Sequence, residues 1–489
     1  MKRFLKLVGY DSSKNTTVKT EFVAGIVTFL SMSYILTVNP NQIFGEDSPY
    51  WASAFIATAL GAVIGTLLMA FVAKMPLAQA SGMGLNSMLG GIIGGWGGYG
   101  AAFTPGQGFM LVLISGLVFM LMSVVKIKGK SFRELAFDGM PITVRSAISV
   151  GIGLFIAFIG FQNAKVINDD PYVLLALVNF NEYDINTANA AVALIGLFII
   201  TILDRFNVKG SVIIGVIGAS IVGIPLGVTN LGILAGDGQT TWRFWESFSN
   251  FFTGESSVFF SFTSVFKEGL APEGVSVFTV IMIVMTMCMI DMFDTMGTIV
   301  GCCGGNRILS DENGKPHNYS KIMLTDAIAT CTGAVIGTST VTTFVESGVG
   351  VSAGGRTGLT AFSSACMFFL SMFALPVFAA IPSAAAASAL IYVGVLMMKN
   401  NVKSVDFSTP VNATSAVLTI SVMVLSYSIT KGIGIGMISY TVMSLVCYLF
   451  GMIRYSITKK DKPVFDVSAV AIIVSLLFCV YFFVPVTFC

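Results

Sequence analysis

The sequence predicts an all-α polytopic membrane protein with 14 transmembrane segments, arranged as two repeats of seven. Of the 489 residues, 55% are hydrophobic and only 11% are charged, whereas a soluble domain averages about 25% charged residues. Apolar runs of about 20 residues, long enough to cross a bilayer, recur along the chain. The formal net charge of +2 is too small to indicate nucleic-acid binding. The lipid bilayer is therefore the expected surrounding of most of the chain.

The apolar runs form two series. The first series comprises residues 22–39, 51–73, 77–97, 106–125, 144–163, 187–203 and 211–229. A polar excursion over residues 230–273 separates it from the second series. The second series comprises residues 275–299, 322–337, 340–354, 358–380, 383–398, 412–429 and 433–452. A further apolar run, 465–486, either forms a fifteenth crossing or, as we expect, lies against the bundle.

The distribution of charge orients these segments. With the N-terminus inside the cell, Lys and Arg collect in the predicted cytoplasmic segments, as in residues 2–19 and 126–133. The predicted outer loop 164–186 instead carries four acidic residues. This pattern agrees with the positive-inside rule in both halves of the chain. We therefore expect a multi-pass protein of the cytoplasmic membrane with a cytoplasmic N-terminus.

Two similar heptapeptides indicate an internal repeat. Ala80-Ser-Gly-Met-Gly-Leu-Asn86 lies in the third segment, and Glu346-Ser-Gly-Val-Gly-Val-Ser352 lies in the tenth. Because each unit has an odd number of spans, consecutive copies must have opposite orientations. Inverted repeats of this kind are typical of secondary transporters, whose site lies near the midplane between the repeats. Both segments are short and Gly-rich, which predicts short extended stretches followed by half-helices.

Three carboxylates lie inside apolar runs. A carboxylate at membrane depth is costly and usually faces a polar cavity or an ion pathway. Asp291 and Asp294 are three residues apart and so share one face of a helix; the alternative is that they cap or pack its end. Glu346 follows Ser339–Phe344, a hydroxyl-rich, β-branched stretch that favours extended backbone. Exposed backbone groups and the positive end of the next helix suit a planar ligand with alternating donors and acceptors; the alternative is a helix-terminal Glu favoured by the dipole.

Five further residues complete the candidate substrate site. Asn86 offers both a donor and an acceptor, and Thr343 lies in the extended stretch before Glu346. Met32, Phe293 and Phe344 are candidate walls for stacking on a ring, with packing in the core as the alternative. The Asn-Pro pair after Val38 is expected to end the first span, because proline lacks a backbone N–H.

Several functions are not supported by the sequence. The only histidine, His317, lies in a polar linker, so any proton coupling must use Asp294, Glu346 or Asp291. The Gly-rich strings lack the Gly-Lys-Ser/Thr of a phosphate loop. The eight cysteines show no metal-ligand spacing and are expected to be buried small hydrophobes. We therefore expect neither a metal nor another cofactor, and no enzyme activity.

The motifs resemble the AzgA-like branch of the nucleobase–cation symporter-2 family. The resemblance extends from the first span to Tyr440 and is carried by Thr20–Phe29, Val38–Pro40, Ser81–Asn86, Asp291–Thr298 and Gly337–Thr360. It implies proton-coupled uptake of adenine, guanine or hypoxanthine, with Na⁺ as the alternative coupling ion. It also implies that Asp294 and Glu346 bind the base and that Asn86 lies nearby. Departures from the family pattern at Gln79, at Gly90–Gly95 and at Cys302-Cys303 flank this site and leave the preferred purine open.

The resemblance further implies a core domain (spans 1–4 and 8–11) that carries the substrate past a gate domain (spans 5–7 and 12–14), an elevator-type mechanism. A homodimer would form through the gate domain. The expected division is 1–21 (cytoplasmic leader), 22–139 (core), 140–273 (gate and outer loop), 274–381 (core), 382–455 (gate) and 456–489 (C-terminal apolar segment). The alternatives are a same-fold transporter of a pyrimidine or xanthine-type nucleobase or of a small anion, and, from other classes, a channel or a scaffold.

Overall fold

The chain folds into a bundle of helices. The computed structural model describes residues 2–11, 16–95, 101–127, 130–131, 141–170, 174–208, 210–235, 242–303, 308–310, 316–427, 429–459, 465 and 467–483. Eight helical segments in this part of the chain are long and apolar enough to cross a membrane, and five shorter apolar helices accompany them. The protein is therefore a multi-pass membrane protein.

The helices of the first half occupy most of the predicted apolar runs. They are α1 (Lys2–Leu7), α2 (Val18–Met32), α3 (Ile35–Phe44), α4 (Trp51–Leu68), α5 (Met83–Gly94), α6 (Pro105–Val124), α7 (Ile142–Asn163), α8 (Ile185–Arg205) and α9 (Ser211–Gly223). The polar excursion that follows contains α10 (Phe244–Thr253) and α11 (Val265–Glu268). A π-helical turn, Met69–Ala73, continues α4.

The second half repeats this pattern of long and short helices. Its helices are α12 (Val277–Cys303), α13 (Tyr319–Ile336), α14 (Ser347–Ser352), α15 (Gly358–Ser371), α16 (Leu375–Ala379), α17 (Ser383–Asn401), α18 (Pro410–Leu425), α19 (Ile429–Thr458) and α20 (Ala469–Phe483). Helix α20 lies within the C-terminal apolar run and packs against α19.

Within the described residues, six short strands pair in three antiparallel ribbons. They are β1 (Gln79–Ser81), β2 (Lys126–Ile127), β3 (Lys130–Ser131), β4 (Ile167–Asp170), β5 (Leu174–Leu177) and β6 (Val341–Thr343). Strands β2 and β3 pair with each other, as do β4 and β5, whereas β1 pairs with β6 across the two halves of the chain. The β1–β6 ribbon is fully buried. It joins the third segment of one series to the third segment of the other.

The first span is broken, but not where the sequence predicts. Pro40 lies inside α3, which continues to Phe44, so the expectation that Asn39-Pro40 ends this span is wrong. The break falls earlier, at Ser33 and Tyr34, between α2 and α3. Pro40 is tolerated inside α3 because the carbonyl group that it leaves unpaired can be satisfied by other groups of the protein. The break places Tyr34, which is 1% exposed, on a turn whose backbone keeps right-handed helical dihedral angles.

The tightest helix packing falls into two groups. Helix α13 packs on α6 and α4, and α15 packs on α2 and α4. Separately, α17 packs on α7 and α8, α18 packs on α19 and α7, and α9 packs on α8. The close approach of α4 to strand β6 requires glycine at position 65, because a Cβ there would lie 2.8 Å from Cγ1 of Val341. Helix α4 thus lies directly against the β1–β6 ribbon.

Candidate functional site

The β1–β6 ribbon organises the polar centre of the protein. Its register pairs Gln79 with Thr343 and Ser81 with Val341. The backbone N–H of Gly82 extends the pairing by donating to the carbonyl of Thr340 at 2.9 Å. Because the strands are antiparallel, α5 and α14 begin at opposite ends of the ribbon. Two helix N-termini, each preceded by extended backbone, therefore lie buried within the protein, where such irregular backbone is tolerated.

A buried carboxylate that sequence reasoning missed links the ribbon to the neighbouring helices. Asp326 in α13 is fully buried. Its Oδ1 accepts hydrogen bonds from Nε2 of Gln79 at 3.1 Å and from the hydroxyl of Thr343 at 3.4 Å. Its Oδ2 accepts from the hydroxyl of Thr295 in α12 at 2.8 Å. The sequence did contain a signal for this residue. Asp326 is a carboxylate within an apolar run, as Asp291 and Asp294 are.

Glu346 lies at the N-terminus of α14 and is 3% exposed. Its Oε1 accepts a hydrogen bond of 2.6 Å from the phenolic hydroxyl of Tyr34. Its Oε2 is buried and has no hydrogen-bond partner among the described residues. Because buried polar groups are nearly always hydrogen-bonded, a buried oxygen without a partner needs an explanation. A bound donor would supply the missing hydrogen bond.

Asp294 approaches the other end of the ribbon. It lies in α12, is partly exposed, and its Oδ2 would be 3.7 Å from a Cβ built on Gly82, the residue that precedes α5. Its carboxylate also interacts electrostatically with those of Glu346 and Asp326. The two carboxylates that the family resemblance assigns to the substrate, Asp294 and Glu346, thus lie near opposite ends of this short ribbon.

Asp291 has a different environment from Asp294. It is 1% exposed, and its Oδ2 accepts a hydrogen bond of 3.0 Å from the hydroxyl of Thr330 in α13. The same hydroxyl lies 3.3 Å from the carbonyl of Val341 in β6. Asp291 is therefore held between α12 and α13, one helical turn from Asp294.

Asn86 is fully buried and makes hydrogen bonds within the protein. Its Oδ1 accepts a short hydrogen bond from the hydroxyl of Ser339, and its Nδ2 donates to the carbonyl of Ser81 at 3.4 Å. The hydroxyl of Ser81 is in turn 2.6 Å from that of Thr338. These bonds connect the start of α5 to the chain that leads into β6.

The remaining predicted site residues surround this centre. Thr343 and Phe344 are buried at the end of β6, and the backbone N–H of Phe344 donates to the carbonyl of Ala78 at 3.1 Å. Met32 is fully buried at the end of α2, two residues before Tyr34. Phe293 lies in α12, but its side chain is outside the described residues.

The described residues contain no group of three or more His, Cys, Asp or Glu that could hold a metal ion. Seven of the eight cysteines lie in this part of the chain, and all seven are free thiols. His317 is exposed, and its backbone N–H donates to the carbonyl of Leu309 at 2.8 Å. The site is thus a set of carboxylate, amide and hydroxyl groups between two broken segments. Such a set can bind a small polar molecule by hydrogen bonds.

Comparison with solved structures shows which fold the helices form. The fold is similar to that of the transmembrane domain of a cyanobacterial bicarbonate transporter, BicA, with a TM-score of 0.57, 14% sequence identity, and coverage of 86% of this chain and 97% of that one. The chain also has helices of membrane-spanning length, and buried carboxylates lie where its helices are interrupted. The protein therefore has the helical membrane fold of that transmembrane domain.

Sequence comparisons then give the family. The model of the Permease family matches residues 19–435, so the chain belongs to that family. Adenine permease AdeP of Escherichia coli (strain K12) is 32% identical over 95% of this chain and 92% of its own length. Guanine/hypoxanthine permease PbuO of Bacillus subtilis (strain 168) is 33% identical over 88% of this chain and 92% of its own length. The predicted relationship to the AzgA-like nucleobase permeases is confirmed, as is the prediction of a transporter rather than an enzyme.

Proposed function

We propose that this protein takes up purine nucleobases, with hypoxanthine, guanine and adenine as the candidates, by proton symport across the cytoplasmic membrane. One observation carries the proposal: Glu346 keeps a buried oxygen without a hydrogen-bond partner at the start of a half-helix. The relatives that are named as adenine and guanine/hypoxanthine permeases support the purine class.

The chemistry of a purine fits the two carboxylates. Purine rings carry N–H donors along planar edges, and hydrogen bonds from such donors to a carboxylate are charge-assisted and strong. Glu346 offers its Oε2 to one donor, and Asp294 offers its carboxylate to a second. A neutral base would enter without the repulsion that an anion meets there.

Proton coupling is proposed to use the same pair. Asp294 and Glu346 interact electrostatically, so a proton on one of them removes the repulsion between two negative charges. A protonated carboxyl group can donate as well as accept a hydrogen bond. We infer that the proton and the base bind together and leave together, with Asp291 as a further candidate to hold the proton.

We propose that the 14 spans form two inverted repeats and that transport is an elevator-type movement, in which the core domain carries the base past the gate domain. The two packing groups support it, since the elements that carry the site pack against the group formed by α2, α4, α6, α13 and α15: α12 packs on α6, α14 on α2 and β1 on α4. This group corresponds to the expected core domain, and the group built around α7 and α17 corresponds to the expected gate domain. In this proposal the N-terminus is cytoplasmic and the gate domain carries any homodimer contact.

A test of the proposal is uptake of radiolabelled hypoxanthine, guanine and adenine into proteoliposomes at an imposed inward proton gradient. Asp294→Asn and Glu346→Gln should each reduce uptake by at least about a hundredfold, since each removes a charge that binds the base or carries the proton. Wild-type uptake should also stop when a protonophore collapses the gradient. Replacing H⁺ by Na⁺ as the driving gradient separates the two coupling ions.

Two exposed acidic residues provide matched controls. Asp47→Asn and Glu255→Gln make the same chemical changes on exposed loops and should retain wild-type uptake. Competition by unlabelled uracil, xanthine and bicarbonate distinguishes the alternative substrates. Wild-type uptake rates in both site variants, or competition by bicarbonate alone, would contradict the proposal.

A further inference from the structure

A buried carboxylate outside the candidate site, that of Glu21, binds the chain between α14 and α15. Glu21 lies in the first turn of α2 and is fully buried. Its Oε1 accepts a hydrogen bond from the backbone N–H of Arg356 at 3.0 Å. Its Oε2 accepts from the backbone N–H of Thr357 at 3.3 Å and from the hydroxyl of Thr360 at 2.5 Å. The carboxylate thus ties the start of α2 to the turn that follows α14.

The same turn has further contacts on both sides. The hydroxyl of Thr16, which lies just before α2, donates to the carbonyl of Gly354 at 3.2 Å. Gly354 has a φ of +105°, and a Cβ there would lie 2.6 Å from Cγ2 of Thr20. The guanidinium group of Arg356 donates to the carbonyl of Val351, in the last turn of α14, at 2.5 Å. The turn is therefore joined both to α2 and to the end of α14.

Helix α2 and the residues next to it contact α14 at both ends and in the middle. At the N-terminal end of α14, the hydroxyl of Tyr34 donates to Glu346 at 2.6 Å. In the middle, a Cβ on Gly350 would overlap the hydroxyl oxygen of Thr28 in α2, so the two helices touch there. Beyond the C-terminal end, Glu21 holds the turn.

A helix as short as α14 depends on such contacts for its position. It has 6 residues, whereas isolated helices shorter than about 12 residues are marginal at best in water. The side chain of Glu346 moves with this helix, because Glu346 is its N-cap residue. A displacement of about 1 Å in a binding site can remove much of the binding that the site provides.

We propose that Glu21 is a positioning residue for substrate binding: it fixes the turn after α14 to α2 and so keeps Glu346 where it binds the base. The inference rests on the proposed function, since it assumes that Glu346 binds a purine. It goes beyond that function by giving a role in substrate binding to a carboxylate at the other end of α14.

The experiment combines two measurements on purified protein in nanodiscs. They are Kd for hypoxanthine, guanine and adenine, and backbone hydrogen exchange of the segment 346–357. Glu21→Gln keeps the shape of the side chain but replaces one accepting oxygen by an NH2 group, which then faces hydrogen-bond donors of the turn. The turn should loosen from α2. Exchange in 346–357 should therefore become faster, and Kd for the bases that the wild type binds should rise by at least about tenfold.

Ser364→Ala is the matched control. The hydroxyl of Ser364, which is fully buried, joins α15 to α2 by donating to the carbonyl of Gly25 at 2.8 Å. It lies one helical turn beyond Thr360, further from α14. The variant should lower the melting temperature, but exchange in 346–357 should stay at the wild-type rate and Kd should stay within about twofold.

The possible outcomes separate this inference from the proposed function. Folded wild-type protein that binds none of the three bases would overturn the function itself. Wild-type binding with a Kd that Glu21→Gln does not change would overturn the inference alone, even with faster exchange, because Glu21 would then have only a structural role. A raised Kd with wild-type exchange would also overturn it, since the turn would not have moved.

A milder variant decides the point if Glu21→Gln does not yield folded protein. Thr360→Val removes one of the hydroxyl and N–H donors to Glu21 and keeps the carboxylate itself. A rise in Kd of about threefold or more, with faster exchange in 346–357, supports the inference. A smaller change in Kd overturns it.

Discussion

The segments β1–α5 and β6–α14 follow one plan but carry different chemistry. Each is a three-residue strand followed by a helix, and the two strands pair with each other. Each strand is also held by a threonine from the second long helix of its own half. Thr66 of α4 hydrogen-bonds the backbone of Gln79 in both directions at 3.0 Å. Thr330 of α13 lies 3.3 Å from the carbonyl of Val341.

The difference lies in what the first helical turn presents. In the first segment the polar side chain is Asn86, whose amide is hydrogen-bonded at both ends within the protein. In the second segment it is Glu346, one oxygen of which has no partner among the described residues. Helix α5 has 12 residues and α14 has 6. The comparison indicates a division of roles, in which the first segment builds the frame and the second supplies the group that binds the ligand.

Among the tests of this comparison, the largest loss of purine uptake should come from a substitution at Gly82, and Gly348 is the glycine to compare it with. A Cβ at Gly82 would lie 2.7 Å from Cγ2 of Thr342, which is fully buried in β6. A Cβ at Gly348 meets no atom closer than the sulfur of Cys302 at 3.5 Å, an ordinary contact. Gly82→Ala should therefore push the strands apart and reduce purine uptake by at least about tenfold, since shifts of about 1 Å in a binding site can cost that much or more.

Gly348→Ala is the matched control for this prediction. It adds the same methyl group at the position of the second heptapeptide that aligns with Gly82 and should retain uptake within about twofold. It should also stabilise α14 slightly, since alanine is a better helix former than glycine. Equal uptake by the two variants would show that the close approach at Gly82 has no role in holding the site.

Much of this architecture could be predicted from the sequence. The apolar runs and the Gly-rich third and tenth segments gave the helix positions, and β6 lies within the stretch 339–344 that was expected to be extended. These features depend on composition and local pattern, which a single sequence contains. The assignment of Asp294 and Glu346 to one substrate site followed from their position in apolar runs and from the family resemblance.

The pairing of distant residues could not be predicted in the same way. Gln79 is 247 positions from its partner Asp326, and Tyr34 is 312 positions from Glu346. No local periodicity records such contacts. In a membrane bundle even the buried face of a helix is hard to read from sequence, because the lipid-facing and buried faces are similarly apolar. Tyr34 lies four residues before the Val38–Pro40 motif of the family resemblance, but nothing near it in the sequence indicated a carboxylate as its partner.

A smaller effect should distinguish the roles of Asn86 and Glu346. Asn86→Ala removes the acceptor for Ser339 and a donor to Ser81 in a fully buried position. It should lower the free energy of unfolding by about 1–3 kcal/mol, measured as a lower melting temperature in detergent. Glu346→Gln keeps an acceptor for Tyr34 and removes a buried charge, so its melting temperature should equal or exceed that of the wild type.

The sequence-based assignment of Asn86 to the substrate site makes the opposite prediction. If Asn86 binds the base directly, Asn86→Ala should raise KM for purine uptake without loss of stability. If it belongs to the frame, the uptake per folded molecule should keep its KM while the melting temperature falls. Measuring KM and melting temperature on the same preparation separates the two roles.

The smallest effects should come from the two threonines, which test whether the division of roles extends to the supporting helices. Thr66→Val leaves the buried backbone N–H and C=O of Gln79 without this partner and should cost about 1–2 kcal/mol of stability, with KM unchanged within about twofold. Thr330→Val removes the single hydroxyl that contacts both the carboxylate of Asp291 and the carbonyl of Val341, on the strand that leads to Glu346. It should cost about 1 kcal/mol and should also raise KM a few-fold, because β6 positions the ligand-binding carboxylate. Thermal unfolding and uptake kinetics of the two variants, measured side by side, decide the point. A change in KM for Thr66→Val alone would reverse the assignment, since it would make the first segment the one that contacts the base.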